Sequence, residues 1–249
     1  MSFSLSEVQR YFTQRTPQYE SSSSWVRDKT LMRLIGDMLS LQAGERVLDV
    51  AFGSGQLGKV LVSTGAQLTG IDYTPAMIAG DNETYETRVV GDAHAMAFED
   101  NAFGAVVCRQ GIQFMDAAVA VREMARVVRP GGRVLLAHLT AYGAADREET
   151  FEIQRLRNPV RVNFFLPQDQ PQYLREARLE VTRIEHYWTV ESARNWLSKG
   201  AIPESRKEQA LAIYRGASKG FRRKHDLRER DGDFLDRMLF VLALGEKVP

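Results

Sequence analysis

Leu31, Leu34, Ile35, Met38 and Leu39 recur at helical spacing, so residues 25–42 read as an amphipathic helix that Gly44 ends. Residues 6–20 carry a weaker helical pattern broken at Pro17, and Ser21 to Ser24 form a polar loop or cap between the two. From residue 46 the pattern changes. Apolar runs at 46–51, 67–73, 88–90, 103–109 and 133–139 predict strands, with helices between them at 56–64, 75–80 and 117–128. The last helix is stopped by Arg129-Pro130-Gly131-Gly132. Strands alternating with helices argue for a parallel sheet covered on both faces. Past Thr140 the rhythm is lost. Residues 143–175 mix helical stretches with Pro159, Pro167 and Pro171 and read as an insertion over one sheet edge. Strand propensity returns at 178–190, helices follow at 191–200 and 204–225, and Arg237 to Leu244 suit a final strand.

The segment with most chemistry runs from Arg46 to Gly58, RVLDVAFGSGQLG, in which a strand ends on an acidic residue, a glycine-rich turn and a helix. Such a turn offers bare backbone amides and a helix N-terminus to a bound cofactor. Gly53-x-Gly55-x-x-Gly58 fits the dinucleotide fingerprint, which alone is weak evidence. Asp72, at the end of the second predicted strand, can accept hydrogen bonds from both hydroxyls of a ribose. Nicotinamide enzymes use the same device, so Asp72 does not separate one cofactor from another.

Composition narrows the classes without choosing among them. The chain has 249 residues, 44% hydrophobic and 26% charged, as in an ordinary soluble globule. With 33 basic and 32 acidic residues, the net charge of +1 gives no general case for nucleic acid or membrane. Cys108 is the only cysteine, which rules out an internal disulfide and argues against a cysteine metal cluster, so no metal is expected. No apolar run approaches a membrane span, and the opening MSFSLSEVQRYF lacks the regions of a secretion signal; a cytoplasmic location is expected. A homodimer is compatible with this composition.

Four blocks in order resemble the class I S-adenosylmethionine-dependent methyltransferases, notably the small-molecule branch of ubiquinone and menaquinone biosynthesis. VLDVAFGSG is similar to the cofactor loop, and GIDYTPAMI to the second strand with its ribose carboxylate. GDAHAMAFEDNAFGAVVCRQGIQFMD resembles the adenine-contacting segment and fourth strand, and REMARVVRPGGRVLLA the helix, turn and fifth strand. The resemblance is good over residues 44–140. It implies a Rossmann-like, doubly wound, mainly parallel seven-stranded sheet with the last strand antiparallel, plus N-terminal helices and a helical lid insertion. A single domain over 1–249 is then expected, with a cap at 1–43, the cofactor core at 44–140 and substrate lids at 141–177 and 191–232.

The implied reaction is in-line transfer of the sulfonium methyl from S-adenosylmethionine to an O, N or C atom of a small, apolar or aromatic metabolite. The resemblance carries cofactor roles to Asp49, Ala51, Gly53, Gly55, Asp72, Tyr73, Met77, Asp92, Ala93, Arg109 and Gln110. Each has a plainer alternative as a turn, cap or core residue. His138, near the end of the fifth strand, is the candidate base by position, against a structural histidine. Tyr11, Tyr19, Trp25, Tyr142, Phe164 and Trp196 are candidates for a substrate pocket, against ordinary core burial. Phe12 shares the N-terminal segment that covers cofactor and substrate in resembling enzymes. The family usually has glycine at the position of Ala51 and often cysteine at that of Phe52. Alanine resists positive φ, so a negative φ or a slightly remodelled loop is expected there. The charged run 219–230 reads as a solvated helix face or as a site for a carboxylate, phosphate or nucleic-acid backbone. Three rivals stay open: an RNA or protein methyltransferase of the same fold, an NAD-dependent oxidoreductase, and a catalytically silent cofactor-binding protein. The RNA reading lacks an appended domain and an Asn-Pro-Pro-Tyr or Asp-Pro-Pro-Tyr motif after the fourth strand, where Arg109-Gln110-Gly111-Ile112 stands.

Overall fold

The computed structural model describes residues 5–80 and 83–248. The first four residues of the expected cap lie outside the described residues. The strands are β1 (Arg46–Val50), β2 (Gln67–Asp72), β3 (Thr87–Val90), β4 (Phe103–Arg109), β5 (Val128–Thr140), β6 (Leu179–Ser192), β7 (Arg228–Arg230) and β8 (Asp233–Lys247). They form one sheet in the order β3-β2-β1-β4-β5-β8-β6, with β7 paired to β8. β1 to β5 run parallel, and β8 is antiparallel to both of its long neighbours. The doubly wound sheet with an antiparallel last strand is the one the family resemblance implied, with eight strands in place of seven. β7 is an addition. Asp231 and Gly232 both take positive φ (52° and 73°), forming a tight hairpin turn just after the charged run 219–230, whose end is β7.

The middle of the central strands is mostly apolar and buried, as in strands covered on both faces. Alternate residues feed two cores. Val47, Ala105, Val107, Leu135 and Ala137 join one cluster; Leu48, Val50, Val106, Val134 and Leu136 join the other. Helices α1 (Leu5–Arg15), α2 (Lys29–Leu39), α3 (Gly58–Leu61), α4 (Pro75–Ile78) and α5 (Ala117–Val127) belong to the cap and cofactor half. Helices α6 (Arg147–Arg157), α7 (Asp169–Glu176), α8 (Ala193–Ser198), α9 (Glu204–Arg215) and α10 (Lys219–Lys224) belong to the inserted segments. α2 starts later than its apolar pattern because Asp28 caps it, accepting from the Thr30 and Leu31 N–H groups. The Arg129 to Gly132 turn is absorbed into the start of β5 as an irregularity opposite Phe103 to Ala105. A Cβ on Gly132 would come within 2.7 Å of the Gly104 carbonyl oxygen, so this close approach needs glycine.

Trp25 and Trp196 are core residues. Their rings lie 5.7 Å apart, and Trp25 also meets Phe240 at 5.8 Å. Among the described residues no helix is long and apolar enough to cross a membrane.

Candidate cofactor site

A cleft opens at the carboxyl ends of β1, β2, β3 and β4, where ligands bind in open α/β sheets. Its wall includes Ala51 and Gly53 after β1, Asp72 to Thr74 after β2, Gly91 to His94 after β3, and Gln110 and Gly111 after β4. Val8 and Phe12 of α1, Tyr19, and Phe114 with Met115 close it. Its atom-free space of about 680 Å³, mouth included, is of the size that holds small-molecule cofactors.

The glycine loop follows from hydrogen bonding across the strand ends. The N–H groups of Ala51 and Phe52 both donate to the Ile71 carbonyl, at 2.8 and 3.3 Å. That turns the chain sharply as β1 ends. Gly53 N–H then donates to Asp72 Oδ2 (3.0 Å), and Thr74 N–H to Asp72 Oδ1 (2.8 Å). The carboxylate so clamps its own loop to the cofactor loop and keeps lone pairs free for two further donors. Burial raises its pKa, against the hydrogen bonds from Thr74 and Gly53. A Cβ on Gly53, at φ +56°, would lie 3.2 Å from Met77 Cε and 3.5 Å from the Tyr19 ring.

Ala51 takes φ +57°, in the left-handed region, and the expected negative φ is not found. The loop keeps a glycine-like path and bears the strain of a methyl group on it. The space for that methyl comes from the neighbouring strand, since a Cβ on Gly111 would lie 2.7 Å from Ala51 Cβ and 2.6 Å from Cys108 Sγ. Gln110 is also left-handed, at φ +56°. Two strained non-glycine residues thus end adjacent strands on one cavity wall, a pattern that marks functional sites. Gly111→Ala is expected to destabilise the fold by about 1–3 kcal/mol through overpacking, and Ala51→Gly in the same chain to recover part of it, the contact with Cys108 Sγ remaining. A double-mutant cycle by urea unfolding checks this; additive losses would show that the two positions do not compete for one space. Phe52 turns away and packs over Gly70, at 2.7 Å from the Cβ that residue lacks, and beside the Tyr85 ring at 4.9 Å.

Of the eleven expected cofactor residues, Ala51, Gly53, Asp72, Tyr73, Met77, Asp92, Ala93 and Gln110 line the cleft. Asp49 does not. Its Oδ2 accepts from the Tyr85 hydroxyl at 2.6 Å, and that hydroxyl in turn accepts from Gly58 N–H. Burial pushes the Asp49 carboxyl up to about 7. Gly55 also stays off the wall, at φ +70°, with its N–H bound to the Phe52 carbonyl. Arg109 is not on the wall and donates to the Trp25 carbonyl at 2.9 Å.

His138 is corrected from candidate base to structural residue. It is fully buried, and its Nε2 accepts from Gly111 and Ile112 N–H at 3.1 and 3.2 Å. It is therefore neutral with the proton on Nδ1. Burial, aided by Arg161, drives its pKa down to about 3. It shapes the loop after β4 and does not reach the cleft.

The substrate candidates divide in the same way. Tyr19 lines the cleft. Tyr11 donates to the Arg157 carbonyl and Asn158 Oδ1, Tyr142 donates to the Arg237 carbonyl, and Phe164 packs on Phe151. With Trp25 and Trp196 in the core, these five are placed by packing. No residue of 141–177 or 191–232 lines the cleft.

Sequence reasoning passed over Val8, Phe114 and Met115 as wall residues. Val8 shares the face of α1 with Phe12, four residues on, which was a usable signal. Phe114 and Met115 follow β4 with no pattern of their own. His94 is held at both nitrogens, by Asp92 Oδ1 at 2.6 Å and by Asp116 N–H at 2.8 Å.

The wall suits S-adenosylmethionine on its own chemistry. It offers a carboxylate with spare lone pairs, a glycine cradle, and a buried Gln110 Nε2 with no partner. Residues 48–136 match a family model described as a methyltransferase domain. The demethylmenaquinone methyltransferase of Corynebacterium efficiens is 35% identical over 118 residues, 47% of this chain and 51% of that one. The chain therefore spans about half the length of such curated relatives. The demethylmenaquinone methyltransferase of Mycobacterium marinum is 29% identical over 180 residues, 72% of each chain. Among solved structures, the YcgJ protein of Bacillus subtilis superposes with a TM-score of 0.80 at 23% identity, over 88% of this chain and 98% of that one.

Proposed function

We propose that this chain, which belongs to the class I S-adenosylmethionine-dependent methyltransferases and resembles the menaquinone and ubiquinone enzymes, transfers a methyl group to an O, N or C atom of a small, apolar or aromatic metabolite. The observation that carries the reading is the cleft wall: Asp72, the Ala51–Gly53 turn and the Gly91–Ala93 strand end converge there with an unpartnered Gln110 amide. The cofactor supplies a methyl already activated on sulfur, so the chain contributes orientation and exclusion of water. Asp72 would hold the ribose hydroxyls. Asp92 and Ala93 would meet the adenine, and the bare amides near Gly53 the methionine end. Phe12 and Tyr19 cover the cleft with aromatic faces that favour a cationic sulfur.

His94 is committed at both ring nitrogens and His138 lies off the wall. Among the described wall residues no histidine is free to act as base. The acceptor atom then arrives as a ready nucleophile, such as a phenolate, an enolate or a neutral amine.

Calorimetry with S-adenosylhomocysteine and with NADH tests the cofactor. Transfer of isotope-labelled methyl to demethylmenaquinol and to a panel of phenols tests the reaction. Homocysteine-nucleoside binding with turnover on one acceptor class is expected. NADH binding in its place would overturn the reading, and so would cofactor binding with no methyl transfer to any acceptor.

A further inference from the structure

Three arginines of the N-terminal helix and the first inserted segment are buried, and none of them lines the cleft. Arg15 ends α1, Arg157 ends α6 and Arg161 follows in the next turn; they are 7%, 0% and 4% exposed. The groups that hold them are neutral. Arg15 Nη1 and Arg157 Nη1 both donate to Asn158 Oδ1, at 3.2 and 3.3 Å. Arg157 Nε donates to the Trp196 carbonyl at 2.6 Å, and Arg161 Nε to the Asn163 carbonyl at 2.8 Å. Arg15 Nε, Arg157 Nη2 and Arg161 Nη2 are left buried without a partner.

No countercharge is in place among the described residues. Glu191 acts on Arg157 from a distance, but its oxygens accept from Ser24 N–H at 2.5 Å and Asn195 Nδ2 at 3.4 Å. Burial and the nearby Arg15 pull Arg157 down to about 9, and burial alone does the same to Arg161. Aromatic faces give partial relief. The Arg157 guanidinium lies 5.6 Å from the Trp196 ring, and that of Arg161 5.3 Å from Phe164. Buried cations are ordinarily kept where an anion pairs with them. The planar guanidinium fork matches a carboxylate or phosphate better than any other ligand.

The cluster adjoins the cleft through two links. The Arg15 guanidinium lies 5.5 Å from the Phe12 ring and 5.9 Å from that of Tyr19, both on the wall. The Arg161 segment is tied to the loop after β4: Val162 and Asn163 N–H donate to the Gln113 carbonyl, and Asn163 Nδ2 to those of Ile112 and Met115. Gln113 spends its amide on Gln110, which leaves Gln113 Oε1 and the Nε2 of the wall residue Gln110 unpartnered.

We propose that the methyl acceptor carries an oxyanion, a carboxylate or phosphate, that seats against Arg15 and Arg157, which share Asn158 Oδ1. This substrate class rests on the methyltransferase reading above. Because Arg15 belongs to the N-terminal helix whose Val8 and Phe12 cover the cleft, anion binding would pull that cover onto the acceptor.

The full chain, saturated with S-adenosylhomocysteine, is titrated with benzoate, phenyl phosphate and uncharged benzamide at constant ionic strength, with Tm as the readout. A saturable rise with benzoate or phenyl phosphate, and none with benzamide or added chloride, is expected; which of the two acts tells carboxylate from phosphate. Arg157→Met should raise the half-saturating concentration at least tenfold or abolish the response. Should it fail to fold, Arg15→Gln, at the end of the N-terminal helix, gives the same comparison. Absence of a saturable rise in the parent, or an unchanged one in the folded variants, overturns the proposal. An arginine-dependent response in a chain that does not bind S-adenosylhomocysteine would keep the anion site and remove the methyltransferase reading instead.

Discussion

A His225→Leu variant is expected to lose about 3–5 kcal/mol of folding stability, because it would strip a buried cation from between two buried carboxylates. His225 Nδ1 lies 2.7 Å from Asp236 Oδ1, and Nε2 lies 3.1 Å from Asp146 Oδ2. All three side chains are buried. Asp146 also accepts from the N–H groups of Tyr142 and Gly143 and from the Thr150 hydroxyl, and Asp236 from the Tyr214 hydroxyl. The ring stacks on Phe221 at 3.8 Å. One imidazolium so joins the start of α6, the end of α10 and β8. Burial pulls the His225 pKa down, but the hydrogen bonds to Asp146 and Asp236 outweigh it and carry the group up to about 9. Asp146 is raised by burial and lowered more by its hydrogen bonds, for a net decrease. A histidine raised from 6.5 to about 9 stabilises fully below pH 6.5, by about 3 kcal/mol, and loses that contribution as pH rises through 9. A depressed Asp146 contributes above its ordinary value of 3.8 and loses its share as pH falls below that. The difference between parent and variant in urea unfolding should therefore peak between about pH 4 and 6.5 and shrink by pH 10. A pH-independent difference, or a loss below 1 kcal/mol, would mean that the ring is not charged in the fold.

Asp72→Ala should weaken S-adenosylhomocysteine binding by about 1.5–3 kcal/mol, roughly tenfold to 150-fold, for the loss of charged hydrogen bonds. Two effects add here. The direct one is the ribose contact. The second is that Asp72 is the group to which Gly53 and Thr74 donate, so its removal also loosens the cofactor loop. Asp72→Asn separates them. It keeps one acceptor oxygen and should lose less affinity than alanine, while Asp72→Ala should also lower Tm. Calorimetry on both variants checks the pair, and unchanged affinity in Asp72→Ala would refute the ribose role.

Where the sequence reading succeeded and failed follows the range of the interactions involved. The β-α alternation, the carboxylate at the end of β2 and the glycine turn after β1 are written in local pattern. Side-chain period and glycine placement are fixed within a few residues, and the backbone path they set is short. His138 shows the opposite case. Its position near the end of β5 is the one a base would occupy, yet the loop after β4 folds back so that two N–H groups cap its Nε2. Ala51 is similar: only Gly111, 60 residues on (111 − 51), explains how an alanine holds a glycine-like φ.

The sequence by itself determined the alternation of strands and helices and the glycine turn and carboxylate at strand ends, because these depend on periodicity and local residue choice; the antiparallel last strand followed from the family resemblance. Only the tertiary structure decided which aromatic residues face the cleft, since Tyr11 and Phe12 are neighbours in sequence and turn to opposite duties. It also brought Arg15 and Arg157 together, buried, on Asn158. No local pattern marks such a group, because its members come from separate segments and are joined only by long-range packing and by desolvation.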